Sequence, residues 1–416
     1  MPKRFVTPQL ADLRQDIAGQ IPLDVVRDWM QSQKDLSAQN EILSAYRKPG
    51  CVVSSDSAGL TKLGRERPLL EVMKLVNDPK QILHSYGSAI GGTAVGVWAA
   101  DNSEMFYGEG VEPRQIMEQM IAAQREIANQ PLQIGMAIHS GEFLLLGGGA
   151  FGPDADLVEV LAEDFSGARE IVVTPSFRSA LEGCAFPGLG FTPKGDTGAF
   201  VCEYSGAPAC GIRGTNIKYP FPFTEEFFSF LQEYGGPAST ETRRILDRYE
   251  RESVVVLLKV RNPGSGLLLD QLTSWVLANG IIEQVTREDR VTTIKSNGSL
   301  GIFLADTPDV ALDFATDLRT ALDSNGYDFN IGMAGGSVLV FPMNDAAGQQ
   351  EIAGEPVNLA SKICEDVEER DAIYIDESVS RRMKAIPGGM PFQLAVSHVE
   401  IKGVKLSGPQ PTVASA

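Results

Sequence analysis

Basic residues are scarce in this chain of 416 residues: 36 Lys and Arg face 54 Asp and Glu, for a formal net charge of -18. That charge repels a phosphate backbone and an anionic bilayer surface alike, so nucleic acid is excluded as a partner. Histidine is rarer still, at three, and the five cysteines (Cys51, Cys184, Cys202, Cys210 and Cys364) form no CxxC pair. A metal knuckle and a disulfide framework are both excluded on that spacing, and reduced thiols in a cytoplasmic protein are expected. No uncharged apolar run approaches the length of a bilayer span. The N-terminus runs from Met1-Pro2-Lys3-Arg4-Phe5 into charged sequence, with no apolar signal-peptide core.

What is present is a globular composition, 43% apolar and 22% charged, with 42 Gly and 24 Pro marking many turns. The length allows two or three domains at about 150 residues each. The chain also repeats itself once, with blocks separated by about 200 residues. Val52-Val53-Ser54-Ser55-Asp56 and Val254-Val255-Val256-Leu257-Leu258-Lys259 read as buried strands, which aligns Asp56 with Lys259. A hairpin candidate around Ile90-Gly91-Gly92 aligns Gly92 with Asn297. Helical spacing follows in each copy, at Ile116, Met117, Met120 and Ile121, and at Val310, Phe314, Leu318 and Leu322. Ile134-Gly135-Met136-Ala137 then matches Ile331-Gly332-Met333-Ala334 letter for letter, and Gly152 matches Gly354. Glu170-Ile171-Val172-Val173 matches Ala372-Ile373-Tyr374-Ile375, and Pro193-Lys194-Gly195 matches Ile401-Lys402-Gly403.

Each copy reads strand, helix, hairpin, helix, strand, helix, strand, an α+β ferredoxin-like arrangement with helices on one face of the sheet. The predicted organisation is an N-terminal helical segment over 1–49, a first domain over 50–205, a linker over 206–250 and a second domain over 251–416. In the N-terminal segment, two helices broken at Pro22 place Leu23, Val26 and Met30 on one stripe; this is either a docking element or a core-capping helix. The linker carries the aromatic run Tyr219-Pro220-Phe221-Pro222-Phe223, then Phe227, Phe230 and Leu231 on one helical face.

Cys51 to Asp56 and the following Ser57-Ala58-Gly59-Leu60-Thr61 resemble the opening strand of class III nucleotidyl cyclase domains. Ile134-Gly135-Met136-Ala137-Ile138-His139-Ser140-Gly141-Glu142 resembles that family's Gly-Ile-His-Thr-Gly-Glu turn. Gly354-Glu355-Pro356-Val357-Asn358-Leu359-Ala360-Ser361-Lys362 is similar to its Gly-Asp-x-Val-Asn-Leu-Ala-x-Arg segment. The resemblance implies two cyclase-type domains paired as an intramolecular pseudo-dimer, with sites between them. In the family a ribose 3′-hydroxyl attacks the α-phosphate, with Mg²⁺ or Mn²⁺ held by two Asp and an Asn and Arg steadying the transition state.

Carried onto this chain, the resemblance places Asp56 at the first metal position and Gly92 at the second. Asn358 and Lys362 take the transition-state positions, with Glu351 and Thr293 at the purine-reading ones. The mirror site falls on Lys259, Asn297, Asp156, Val160 and Ser88, none of which keeps the family's side chain. The expectation is a degenerate cyclase serving as a regulatory, purine-nucleotide-binding or protein-interaction module, with a protein partner or a second copy bound. The alternative is a purine nucleotide cyclase working at one site with Mg²⁺ or Mn²⁺. Residue by residue, Asp56 either holds a cation or caps the helix after Ser57. Asn358 and Lys362 either touch nucleotide or form an interface pair, His139 reads as a structural histidine, and Gly147-Gly148-Gly149 as a turn.

Overall fold

The strand that opens the first sheet, β1 (Arg47–Ala58), is buried continuously from Cys51 to Ser55. A strand buried on both faces needs small and β-branched residues on each, and Cys-Val-Val-Ser-Ser supplies them. In the computed structural model β1 is flanked by antiparallel neighbours, β3 (Asn102–Gly108) and β4 (Gln133–Leu146). The structure describes residues 21–407 except 61–62, 64–65, 97, 99–101, 183–185, 207–210, 215–223, 262–265, 288–289, 344–349, 366–369, 384–385, 387 and 397–398. The aromatic run at 219–223, Cys184, Cys210 and the helix predicted before Pro22 lie outside the described residues.

The described chain divides into two compact units, 40–242 and 21–39 with 243–407. The first adds β2 (Thr93–Val95), β5 (Gly149–Phe151), β6 (Ile171–Val173), β7 (Leu189–Pro193) and β8 (Phe200–Tyr204). Its sheet runs β2-β3-β1-β4-β6-β8-β7, with β5 on β4. The stretch β2-β3-β1-β4, with helices Leu69–Ser88 and Pro113–Ile127 as the connections, is the ferredoxin-like unit. Those helices cover one face, where Ile82, Leu83, Met117 and Met120 meet Val53, Met105 and Met136. The other face is not bare, as the prediction had it. Helix Pro153–Val160 lies on it, packing Ala155 and Val158 against Val52, Ala137 and Phe143.

The second unit holds β9 (Glu250–Val260), β10 (Thr292–Ser296), β11 (Leu300–Ala305), β12 (Phe329–Pro342), β13 (Gln350–Ala353), β14 (Ala372–Asp376), β15 (Met390–Val396) and β16 (Val399–Ser407). The order β10-β11-β9-β12-β14-β16-β15, with β13 on β12, is the order of the first sheet. Helices Leu268–Thr286 and Pro308–Asp323 cover one face. The second is a well-signalled helix: Thr307 accepts from the Val310 N–H and Pro308 stands at the first helical position. Helix Glu355–Glu365 covers the opposite face through Ala360 and Cys364.

Residues 21–39 belong to this second unit, and here the structure changes the predicted stripe. Val25, Val26 and Trp29 are the buried residues of helix Leu23–Gln31, while Leu23 is exposed. The Trp29 Nε1–H donates to Asp270 Oδ1 at 2.9 Å, and Gln39 Oε1 accepts from the Leu269 N–H at 3.0 Å. Both bonds fall in the first turn of helix Leu268–Thr286, whose amides have no partner within the helix. The segment is therefore a core-capping strap. In the linker, helix Glu225–Gln232 buries Phe227 and Leu231 and receives a hydrogen bond from Lys74 Nζ at Gln232 O, 3.0 Å.

Candidate functional site

The sequence-predicted residues of the second copy gather around β10, β13 and helix Glu355–Glu365. The pairing of β10 with β11 is regular at Thr293, opposite Phe303, then shifts so that Lys295 lies opposite Ile302. Phe303 belongs to the core beneath helices Leu268–Thr286 and Pro308–Asp323, and Ile302 to the core beneath helix Glu355–Glu365. The bulge thus puts Thr293 and Lys295 on opposite faces of the sheet. Thr293 is exposed, away from the other candidates. Lys295 instead forms an ion pair with Glu351 on β13. The two side chains keep only 12% and 19% of their surface exposed. A half-buried pair of this kind is costly to break one partner at a time, because each removal strands the other charge. Glu351 Oε1 also accepts from the Ile352 N–H at 3.0 Å, which fixes its carboxylate.

Lys295 is the functional candidate the sequence reading missed. Its signal was present, a lysine two residues beyond Thr293, but the bulge that turns it toward Glu351 was not legible.

Asn358 and Lys362 lie one turn apart on helix Glu355–Glu365, with Asn358 exposed and Lys362 half-exposed. The opposite face of the helix, Ala360, Ile363 and Cys364, is buried. Entry into the helix passes through Gly354 at φ +147°, where an added Cβ would meet the Ser337 carbonyl at 3.0 Å. Glycine fits that left-handed position beside a backbone oxygen and other residues do not.

The remaining positions fall out differently. Asp56 is a strand residue of β1, opposite Asn102 on one side and Gly135 on the other. Lys259 occupies the same place in β9, opposite Leu300 and Asn330. Gly92 does not sit in a hairpin turn: it precedes β2, and its N–H closes the end of helix Leu69–Ser88 on Gly87 O at 3.0 Å. It is therefore not the counterpart of Asn297, which lies between β10 and β11. Asn297 is buried, and its Oδ1 accepts from the Ser299 N–H (3.0 Å), Ser299 Oγ (2.9 Å) and the Leu300 N–H (2.7 Å). Those bonds make it a turn residue. Ser88 Oγ donates to His84 O at the end of its helix.

Asp156 and Val160 are exposed on helix Pro153–Val160. Beside them Glu104 on β3 has its carboxyl pushed up to about 8, by burial first and then by Glu159, Glu163 and Asp156. Among the described residues no group of three or more His, Cys, Asp or Glu could hold a metal ion.

Two motif readings also resolve. His139 is buried, with Nδ1 2.9 Å from Thr174 Oγ1 and Nε2 3.1 Å from Asp154 Oδ1. Asp154 Oδ2 accepts from the Glu142 N–H at 2.7 Å, so Asp154 ties β4 to the start of the following helix. Gly147 and Gly148, at φ +58° and +84°, form the two-residue turn between Leu146 and Gly149 that a tight hairpin requires. The matching tetrapeptides at Ile134 and Ile331 are out of register. Met136 lies beside Ile171 and Ile331 beside Ile373, so Met136, two residues later, stands where Ile331 does.

No family model matches the sequence, and no curated protein sequence matches it significantly. Solved structures do. The chain is similar to class III nucleotidyl cyclases. A class III adenylyl cyclase-like ATP-binding protein from Pseudomonas aeruginosa aligns over 81% of this chain and 85% of its own, at 12% identity and a TM-score of 0.47. The adenylyl cyclase CyaB from the same organism covers 40% of this chain and 98% of its own, at 19% identity and TM-score 0.33. The guanylate cyclase domain of RhGC from Catenaria anguillulae covers 38% and 96%, at 18% identity and TM-score 0.32. CyaB and the RhGC domain each align with less than half of this chain. No described helix is long and apolar enough to cross a membrane.

Proposed function

We propose that this chain is a cyclase-type protein that binds a purine nucleotide without turning it over, and that its second unit reads the base through Lys295 and Glu351. The pair itself carries the reading. A purine edge presents an acceptor beside a donor, and an ammonium held against a carboxylate offers the complementary donor and acceptor. The pair is half-buried, so a base entering there exchanges one satisfied arrangement for another. Asn358 and Lys362 add an amide and a cation on one exposed helix face, suited to a phosphate.

Turnover is a different demand. It calls for carboxylates that hold cations and a forked cation at the transition state. Lys259 brings positive charge to one metal position, Asp156 and Val160 stand where Asn and Arg are needed, and Lys362 lacks the guanidinium fork. Losing several kcal/mol of transition-state stabilisation at about tenfold per 1.4 kcal/mol leaves binding as the retained property. Nucleotide occupancy would then serve a regulatory purpose through a protein partner or a second copy of the chain.

Titration calorimetry on the full chain tests this. ATP or GTP should give heat, with the signal lost in Lys295→Ala and Glu351→Gln. Absence of heat with both purine nucleotides would refute the reading. Incubation with Mn²⁺ and ATP or GTP, followed by mass spectrometry, should show no cyclic product; a product that disappears in Asp56→Ala would make the chain a cyclase.

A further inference from the structure

The hairpin at the end of each sheet meets the short helix before it differently in the two units. Helices Pro175–Ala180 and Glu377–Ser380 start alike, with Thr174 accepting from the Phe177 N–H and Asp376 from the Val379 N–H. The residue before each cap pairs with the neighbouring strand, Val173 with Phe200 and Ile375 with Val404, and Pro193 and Pro391 pair with those two in turn. Counted from these anchors, Arg178 corresponds to Ser380, Phe200 to Val404 and Phe191 to Gly389. In the first unit the three large side chains plug the space between helix and hairpin: the Arg178 guanidinium carbon lies 4.3 Å from the Phe200 ring centroid and 5.6 Å from that of Phe191. Serine, valine and glycine leave the same space unfilled in the second unit, where a cleft of about 530 Å³ opens. That volume lies within the range of small-molecule sites.

The lining selects the ligand. Ser380, Arg381, Pro391, Gln393, Lys402 and Val404 form it, together with the Glu377 carboxylate. Residues 377–407 carry five Lys and Arg against two Glu, the reverse of the balance in the whole chain. Arg381 rests on Glu377 at 2.6 Å and Lys402 on Glu400 at 3.3 Å, with all four side chains at least half exposed. Exposed pairs of this kind contribute little, so both cations can exchange partners at small cost. We infer that the cleft binds a small aromatic carboxylate, its ring on Pro391 and Val404 where the first unit keeps Phe200, and its carboxylate on the Arg381 guanidinium with Lys402 beside it. A ring set against a guanidinium is built into the first unit; in the second a ligand supplies the ring. Val404 stands two residues from Leu406, which packs in the core beneath helices Leu268–Thr286 and Pro308–Asp323, so the cleft opens on that side of the sheet, opposite to the helix of Asn358 and Lys362. The inference is therefore independent of nucleotide binding.

Saturation-transfer NMR on the full chain at low salt tests this, with benzoate as the probe and benzamide as its neutral isostere. Benzoate should show saturable transfer to its ring protons, and benzamide should bind at least about tenfold more weakly. Arg381→Gln should weaken benzoate by about the same factor, and Lys402→Gln by less. Ser380→Arg/Val404→Phe rebuilds the plug of the first unit and should abolish binding while the unfolding midpoint stays at that of the parent. Arg370→Gln, which removes an exposed cation of the same unit from its pair with Asp328, should bind like the parent. No transfer to benzoate, equal binding of benzamide, parent-like binding in Arg381→Gln, or equal loss in Arg370→Gln would each overturn the proposal. So would a glutamate-rich peptide that displaces benzoate and binds more tightly through Arg381, since the occupant would then be a protein segment.

Discussion

Helices Pro153–Val160 and Glu355–Glu365 occupy the same place on two sheets of identical strand order, yet one presents Asp156, Leu157 and Val160 and the other Asn358 and Lys362. The inward residues of both are small or aliphatic, Ala155 and Val158 against Ala360 and Cys364, because the sheet beneath allows little else. Packing holds the architecture constant while the outward positions change freely. Function in each unit is therefore set by the outward positions and by the loops, and shared topology says little about shared chemistry.

The largest expected effect concerns the strap found on one unit alone. Trp29→Ala removes a fully buried indole and the bond to Asp270, and should cost about 3–5 kcal/mol by denaturant unfolding. A loss restricted to the second unit, followed by tryptophan-independent probes, would confirm that the strap serves that unit. Next comes a pair of turn glycines. Gly298, at φ +85°, would drive a Cβ into the Trp275 carbonyl, whereas Gly96, at φ +69°, has its nearest neighbour at 3.8 Å. Gly298→Ala should cost about 2–4 kcal/mol and Gly96→Ala about 1 kcal/mol; equal costs would show that the two hairpins are interchangeable.

A smaller effect separates the units by pH. Glu104 has its folded-state pKa raised to about 8 from 4.5, and its counterpart in β11 is the apolar Ile302. The folded protein binds the extra proton between those values, so stability falls as pH rises through that interval and is highest below it. Glu104→Gln should remove that part of the decline, raising Tm relative to the parent at pH 8.5 and hardly at pH 4.5. A difference independent of pH would contradict the raised pKa. The smallest effect is expected at Thr293, where Ala should leave nucleotide affinity within about 0.5 kcal/mol of the parent.

The ferredoxin-like core was legible in the sequence because it rests on local signals. Valine-rich buried strands, helical spacing and the Gly-Pro turns each carry their own signature, and the strand alignment of Asp56 with Lys259 agrees with the pairing. Errors arose where register decides. The bulge in β10 puts Thr293 and Lys295 on opposite faces of the sheet, and the identical tetrapeptides in β4 and β12 are displaced by two residues, a shift that keeps each side chain on its face and so leaves the hydrophobic pattern unchanged. Gly92 reads as part of a hairpin because the Gly91-Gly92 pair suits a turn and a helix end equally well. Trp29 was overlooked because its partner, Asp270, is 241 residues away. Long-range partners of that kind leave no periodic trace.

The central claim is that Lys295 and Glu351 form a purine-reading pair, and titration calorimetry with ATP and GTP on the parent, Lys295→Ala and the charge-swapped Lys295→Glu/Glu351→Lys tests it most directly. The account predicts heat of binding in the parent, its loss in the single variant and partial return in the swap, which restores one donor beside one acceptor. Binding unchanged in Lys295→Ala, or no binding of either nucleotide to the parent, would contradict it.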